Sequence, residues 1–284
     1  MKELITRSLT GIIFISIIIG SILYGKISVA CLFLLASILG LLEFFKLMEK
    51  GGFNPKKSVV TIIGALIYLI IFSFSIDVTN FKFLFIIFPL LVLIVVLEIF
   101  RKNDTPVSNI AFSIMGILYV VIPFALLNFF AYGNNDNEII SIVSPNHPAY
   151  LLLGFFTIQW TSDSGAYLAG TAIGKTKLLE RVSPKKTWEG LLGGLISAIL
   201  IGYFISYMIE ANPIHWVSIS IIIVVFGTLG DLTESQIKRS VGVKDSGNLL
   251  PGHGGILDRF DGVLFSAPFV LAYLHFIDLF KLFL

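Results

Sequence analysis

Cysteine occurs once in the chain, at Cys31 within an apolar run, which excludes an intrachain disulfide and any metal site built on clustered cysteines. Charge is also scarce. Only 13% of the 284 residues are Asp, Glu, Lys or Arg, against about 25% in soluble domains. The net charge of +2 is small, and the basic residues form no continuous patch with interleaved aromatics, so nucleic-acid binding finds no support. No repeat of fixed period appears and the first half does not map onto the second, which argues against an inverted-repeat transporter. A Ser-His-Asp order and an activated cysteine are both missing, so no protein nucleophile is indicated. The GKT at 174–176 lacks the glycine five positions upstream and the preceding strand that a phosphate-binding P-loop needs.

What is present is hydrocarbon. Apolar residues make up 56% of the chain, and Phe alone occurs 26 times. A helix crossing a bilayer needs about 20 apolar residues. Runs of that kind recur near 7–24, 27–47, 58–76, 82–100, 108–131, 149–172, 190–209, 214–230 and 261–280. They are continuously apolar and do not alternate, which fits helices and not a barrel. The first run is long for a signal peptide and no small-x-small cleavage site closes it, so it counts as a span. The expected fold is an all-α integral membrane protein, a polytopic bundle of about nine transmembrane helices.

Lys and Arg collect in cytoplasmic loops, and with nine spans 17 of the 20 fall on one side. That assignment puts the N-terminus and both late charged loops in the cytoplasm. Residues 1–148, about five helices, read as a transmembrane scaffold. Its one extended polar loop, GNNDNE (133–138) with SPNHP (144–148), is turn-forming and includes a solvated His147. Glu43 and Glu98, each followed by Lys or Arg within three residues, read as interfacial ion pairs. Residues 149–284 read as the catalytic transmembrane region, with cytoplasmic loops at 174–189 and 231–260.

The chemistry concentrates there. Gln159, Asp163 and Tyr167 share one helix face. An Asp inside a membrane helix is a candidate functional residue; the alternative is an Asp satisfied by its Ser and Thr neighbours, or a packing contact beside Gly165 and Gly170. In SPKKT (183–187), Pro184 stiffens a turn, Lys185 and Lys186 project charge, and Thr187 can cap the next helix with Glu189 in its first turn. Phosphate suits such a helix start, although positive-inside topology alone also accounts for lysines.

The segment Asp231–Asp261 packs five acids, four Lys or Arg, one His and five Gly between two oily runs. If the preceding span continues as helix, Asp231, Glu234, Ser235, Lys238 and Arg239 fall on one face, as do Asp258 and Asp261 at the next helix start. Between them the glycines of KDSGNLLPGHGG let backbone approach a ligand closely. His253, the lone His, either hydrogen-bonds this loop or serves phosphate or proton transfer. Carboxylates without Cys or paired His select hard cations such as magnesium. With bases nearby to oppose polyphosphate charge, phosphoryl or nucleotidyl transfer is the expected reaction class.

The order Ser235-x-x-Lys238-Arg239, Lys244-Asp245, His253-Gly254-Gly255 and Asp258-Arg259-x-Asp261 resembles the signature of the phosphatidate cytidylyltransferases, with no departure within that window. SPKKTWEG and the layout of spans extend the likeness over the C-terminal half; the N-terminal half shares only hydropathy. The resemblance implies condensation of CTP with phosphatidic acid to CDP-diacylglycerol and pyrophosphate, with Mg2+ required and room for a second cation. It implies metal ligation by Asp231 and Asp258, then Asp261 and Asp245, and a catalytic set of Asp231, Asp258, Lys238, Arg239 and His253. Substrate binding falls to Ser183, Lys185, Lys186, Thr187, Ser235, Lys244, Arg259 and Asp163. The lipid would enter sideways from the bilayer through a cleft between late helices. The expected setting is a bacterial inner membrane with the active site facing the cytoplasm; a homodimer is compatible with it. Other membrane phosphotransferases, or an ion or phosphate transporter, are the competing readings. The DG-x-x-AR motif of enzymes moving phospho-alcohols is absent, and most acids sit at one membrane edge instead of along a pathway.

Overall fold

The computed structural model describes residues 2–132, 143–145, 147, 149–247, 249 and 254–281. In chain order the helices are α1 (Lys2–Tyr24), α2 (Lys26–Lys50), α3 (Lys57–Ser75), a 3-10 turn (Phe81–Ile86) leading into α4 (Ile87–Ile99), and α5 (Pro106–Gly116). A π-helical turn (Ile117–Val121) joins α5 to α6 (Ile122–Tyr132), and α7 (Ala149–Ile173) follows. A hairpin of β1 (Lys177–Leu179) and β2 (Ser183–Thr187) precedes α8 (Trp188–Met208), α9 (Pro213–Ser240) and α10 (Leu257–Lys281). The architecture is all-α and polytopic. Among the described residues, seven helices are long and apolar enough to cross a membrane. Two of the nine apolar runs in the sequence fall outside that count. Leu9–Tyr24 is a shorter apolar helix, and α7 interrupts its apolar residues with Gln159, Thr161, Ser162, Asp163 and Ser164.

The chain divides into two compact units: Met1–Phe129 with Ile237–Phe260, and Phe130–Gln236 with Asp261–Leu284. The segment 237–260, which the sequence assigns to the C-terminal region, thus packs with the N-terminal helices. Aromatic packing explains part of this: Phe260 meets Phe124 with ring centroids 4.9 Å apart and Phe14 at 5.4 Å. Such edge-on pairs contribute about 0.5–1.5 kcal/mol beyond the area they bury.

Polar groups inside the first unit are tied to one another. Tyr68 on α3 donates its hydroxyl to the Ala30 carbonyl on α2 at 2.9 Å and accepts from Asn128 Nδ2 on α6 at 2.9 Å. Glu98 at the end of α4 is buried yet fully engaged: Arg101 Nη1 donates to Oε2 and Asn109 Nδ2 to Oε1, both at 3.0 Å. The ion pair expected at Glu98 is therefore present. Asn109 Oδ1 accepts from the Asn54 amide at 2.9 Å, and Arg101 donates to the Asn54 carbonyl, so one network holds α4, α5 and the turn before α3.

In the second unit α7 and α8 meet through small residues. Gly193 faces Ala169, Gly194 faces Ala166 and the Ser162 carbonyl, and Gly165 faces Ser197. Lipid tails are as apolar as leucine, so membrane helices associate by such close backbone approach. Farther along, Gly154 accommodates the ring of Trp216, whose indole N–H donates to the Val143 carbonyl at 2.9 Å. On α9 and α10, Phe226 and Phe269 stack with centroids 3.5 Å apart, and Gly230 lets the Asp261 backbone come close.

A side chain at Gly165 would collide with Ser197 and the Gly193 carbonyl, whereas one at Gly20 on α1 meets nothing within 4 Å. Gly165→Leu should lower stability in detergent by about 1–3 kcal/mol, read as an earlier thermal transition, while Gly20→Leu leaves the transition in place. Equal transitions for the two variants would contradict the packing role.

Candidate active site

In the first unit, the last turn of α9, the loop after it and the first turn of α10 converge on Asp258. Lys238 Nζ lies 2.6 Å from Asp258 Oδ1. On the other oxygen, Oδ2 accepts from the Ser246 amide at 3.0 Å, the Ser246 hydroxyl at 2.9 Å and the Gly255 amide at 2.8 Å. Both partners of the pair are mostly buried, with side chains 10% and 9% exposed, so donors replace the lost water on each lone pair. Glycine is required around this carboxylate. Gly254 has φ +83°, a conformation that side-chain-bearing residues rarely adopt, and a Cβ there would stand 2.5 Å from Asp258 Oδ2.

Glu43, from α2, also belongs to this cluster. Its Oε2 accepts from the Leu257 amide at 3.1 Å and the Ser246 hydroxyl at 3.3 Å. This corrects the interfacial ion pairing expected for Glu43: the residue is 6% exposed and meets the first amide of α10. Helix N-termini carry unpaired N–H groups and partial positive charge, which suit a carboxylate.

In the second unit, α8 starts at the expected cap: Thr187 Oγ1 accepts from the Gly190 amide at 3.1 Å. The preceding segment, read from the sequence as a loop, is a hairpin in which Lys177 faces Thr187 and Leu179 faces Ser183, with an irregularity between. Glu189 fastens its entry by accepting from the Lys175 and Thr176 amides at 3.1 Å. Lys186 reaches Asp231 on α9 at 2.5 Å, and Ser235 Oγ donates to the same Asp at 3.3 Å.

Carboxylates gather beside this pair. Asp163 on α7, and Asp231 and Glu234 on α9, each lie within electrostatic reach of Asp261 on α10. Gln159, buried on α7, donates Nε2 to Asp163 Oδ1 at 3.2 Å. Gly227 and Gly262 leave room for that amide: a Cβ at either would stand 3.0 or 2.9 Å from it. Among the described residues, no three His, Cys, Asp or Glu side chains are grouped closely enough to hold a metal ion as they stand.

Of the residues singled out in the sequence, Lys238 and Asp258 come together in the first unit, and Lys186, Asp231, Ser235, Asp163 and Asp261 in the second. Asp258, expected as a metal ligand, has both oxygens committed to Lys238, Ser246 and Gly255. Arg239, Lys244, Asp245 and Arg259 are exposed, as is Lys185, while Ser183 is half-buried. Arg239 donates to the Val243 carbonyl at 3.0 Å. His253 lies outside the described residues. Sequence reasoning missed Ser246, placed Gln159 on the Asp163 face without giving it a role, and gave Glu43 a different role. Gln159 had a signal, its position one turn before Asp163, but nothing local links Glu43 to residues more than two hundred positions away.

Comparison with known proteins identifies the family. Residues 5–277 match the model of the cytidylyltransferase family. The chain belongs to the cytidylyltransferase family. It is 33% identical over 268 residues to a phosphatidate cytidylyltransferase of Staphylococcus aureus, covering 92% of this chain and 95% of that protein. A phosphatidate cytidylyltransferase of Staphylococcus haemolyticus is 35% identical over 267 residues, with the same coverage. Another, from Haemophilus influenzae, is 44% identical over 138 residues, or 46% of this chain and 48% of that protein.

Removing one partner of a buried ion pair leaves the other charge uncompensated, at a cost of about 3–5 kcal/mol. Lys238→Met should lose stability in that range by detergent unfolding, and Lys238→Met with Asp258→Asn should recover part of the loss. Purely additive costs in this double-mutant cycle would show that the pair is not coupled.

Proposed function

We infer that the chain condenses CTP with phosphatidate to give CDP-diacylglycerol and pyrophosphate. The observation that carries this reading is a family match across almost the whole chain, in a helical membrane protein whose charge is concentrated on SPKKT and on the residues from Asp231 to Asp261.

The reaction forms a bond between a phosphate oxygen of phosphatidate and the α-phosphorus of CTP, and breaks the bond from that phosphorus to the pyrophosphate oxygen. The acceptor is already anionic, so the enzyme needs no base strong enough to create a nucleophile. Its task is to hold two anions in line and reduce their repulsion. Lys185, exposed on β2, and Lys186 suit CTP phosphates, with Ser183 and Thr187 beside them on the same strand. Arg239, Lys244 and Arg259, all exposed, suit phosphate as charge-assisted donors. Ser235 steadies Asp231 through its hydroxyl.

The oxygen-only donor set of Asp163, Asp231, Glu234 and Asp261 fits a hard divalent cation in chemistry, because mutual repulsion among these carboxylates falls when a cation joins them. Asp231 and Asp261 would hold magnesium, with Asp163 beside them. When bound, such an ion neutralises phosphate charge at the reacting phosphorus. Asp258 holds Lys238 and the backbone of the loop. CTP is a cytosolic metabolite, so the site faces the cytoplasm of a bacterial inner membrane, in keeping with the positive-inside distribution of Lys and Arg.

Purified protein given radiolabelled CTP, phosphatidate and magnesium should yield CDP-diacylglycerol and pyrophosphate, and chelation with EDTA should stop the reaction until magnesium is restored. Asp261→Asn should lower kcat by about 100-fold without loss of expression. Folded protein that makes no product under any divalent ion ends this reading.

Orientation has its own test. In a Cys31→Ser background, Arg181→Cys should react with a membrane-impermeant maleimide only after intact cells are permeabilised. Labelling of intact cells would place the hairpin on the wrong side for cytosolic CTP.

A further inference from the structure

We propose that Glu43, on α2 of the N-terminal helices, is a positioning residue for the reaction, acting on Asp258 through Ser246 and through the first amide of α10. The proposal rests on the cytidylyl-transfer reading above and extends it to a part of the chain that the sequence presents as scaffold.

Four observations within the first unit carry it. Glu43 is buried, and its polar partners are groups of the loop and of the start of α10: the Ser246 hydroxyl at 3.3 Å and the Leu257 amide at 3.1 Å. Ser246 is shared, since its hydroxyl also lies 2.9 Å from Asp258 Oδ2 and its amide donates to that oxygen at 3.0 Å. A continuous polar chain therefore runs Glu43, Ser246, Asp258, Lys238, closed by the 2.6 Å ion pair.

The loop is shaped around Glu43 as well. A Cβ at Gly247 would stand 2.6 Å from Glu43 Oε1, and one at Gly255 would collide with Glu43 Oε2 and Ser246 Oγ. One turn earlier on α2, Gly40 lets the helix approach Leu257, whose side chain would lie 3.4 Å from a Cβ placed there. A residue serving only to fill space at this position would need neither the carboxylate nor two glycines facing it.

The chemical consequence concerns geometry. Ser246 has one hydroxyl proton and two carboxylates that accept it, so Glu43 and Asp258 compete for, and together orient, the same group. Glu43 fixes where the loop backbone stops and α10 begins, and so fixes Asp258 and the lysine it holds. Outer partners of this sort change activity by about 10- to 100-fold when removed.

The test compares wild-type protein with Glu43→Ala, Glu43→Gln, Ser246→Ala and the double variant Glu43→Ala/Ser246→Ala, measuring kcat and KM for CTP alongside hydrogen exchange at the Leu257 amide. Glu43→Ala should lower kcat about 30-fold with KM changed less than about three-fold, and should speed exchange at Leu257. Glu43→Gln keeps an acceptor oxygen for that amide and should recover most of kcat. The double variant should be no slower than about three-fold below the worse single variant, because both interrupt one chain. If Glu43→Ala does not fold, Glu43→Gln and Ser246→Ala decide alone: near-wild-type Glu43→Gln together with an impaired Ser246→Ala supports the proposal. Wild-type kcat in Glu43→Ala or in Ser246→Ala overturns it, as does multiplicative loss in the double variant. A wild-type enzyme that makes no CDP-diacylglycerol overturns the reaction assignment instead, and the Leu257 exchange then still reports whether Glu43 orders the loop.

Discussion

The carboxylate of Asp258 sets the terms for the second segment of the first unit, Ile237–Phe260. Drawn into a mostly dry position, it has to be met by donors or a cation, because an uncompensated charge there costs several kcal/mol. The chain answers with Lys238 on one oxygen and three donors from Ser246 and Gly255 on the other. Those requirements dictate local structure. Ser246 must present both its amide and its hydroxyl, and Gly254 must take a positive φ without a side chain that would strike the carboxylate. Ser246 and Gly255 are thus held in place by polar contacts with this carboxylate.

A different solution operates in the second unit. There Asp163, Asp231 and Glu234 each act on Asp261, and Lys186 pairs with Asp231. Arrangements in which like charges are gathered are unfavourable unless a further cation or a proton joins them. Concentrated negative charge of this kind is a poor choice for stability. The hairpin that supplies Lys186 is itself fixed from α8, through Thr187 at the helix cap and Glu189 on the Lys175 and Thr176 amides. Lys186 gains from this, since a donor on a fixed strand needs little reorganisation.

Much of this was legible in the residues alone. Apolar runs of about 20 residues announce membrane helices, and the dense charge from Asp231 to Asp261 between two of them marks where ion pairs form. The spacing of Asp231 and Ser235 places them one turn apart, where they indeed touch. Local sequence could not show what depends on partners far along the chain. Glu43 has a lysine three residues on and so looks like an interfacial ion pair, yet its partners lie at 246 and 257. The β1–β2 hairpin was hidden because its strands are short and polar, below the length at which alternation can be recognised. The sequence reading offered a packing contact at Gly165 and Gly170, but not the α8 residues Gly193 and Ser197 that Gly165 faces.

The division of labour between the two halves of the chain therefore looks different once the contacts are traced. Helices near the N-terminus contain little chemistry of their own, and their sequence reads as lipid-facing scaffold. One buried glutamate changes that reading: α2 supplies the acceptor for the first amide of α10 and for the serine that orients Asp258. Membrane helices gain little from hydrophobic association with one another, so a few polar contacts and close approaches fix their register. Gly40 and Glu43, one turn apart on α2, provide one of each against Leu257. The same pair of contacts that seats the first turn of α10 also sets the geometry of the carboxylate within that turn, so packing and polar geometry at this helix start are one constraint.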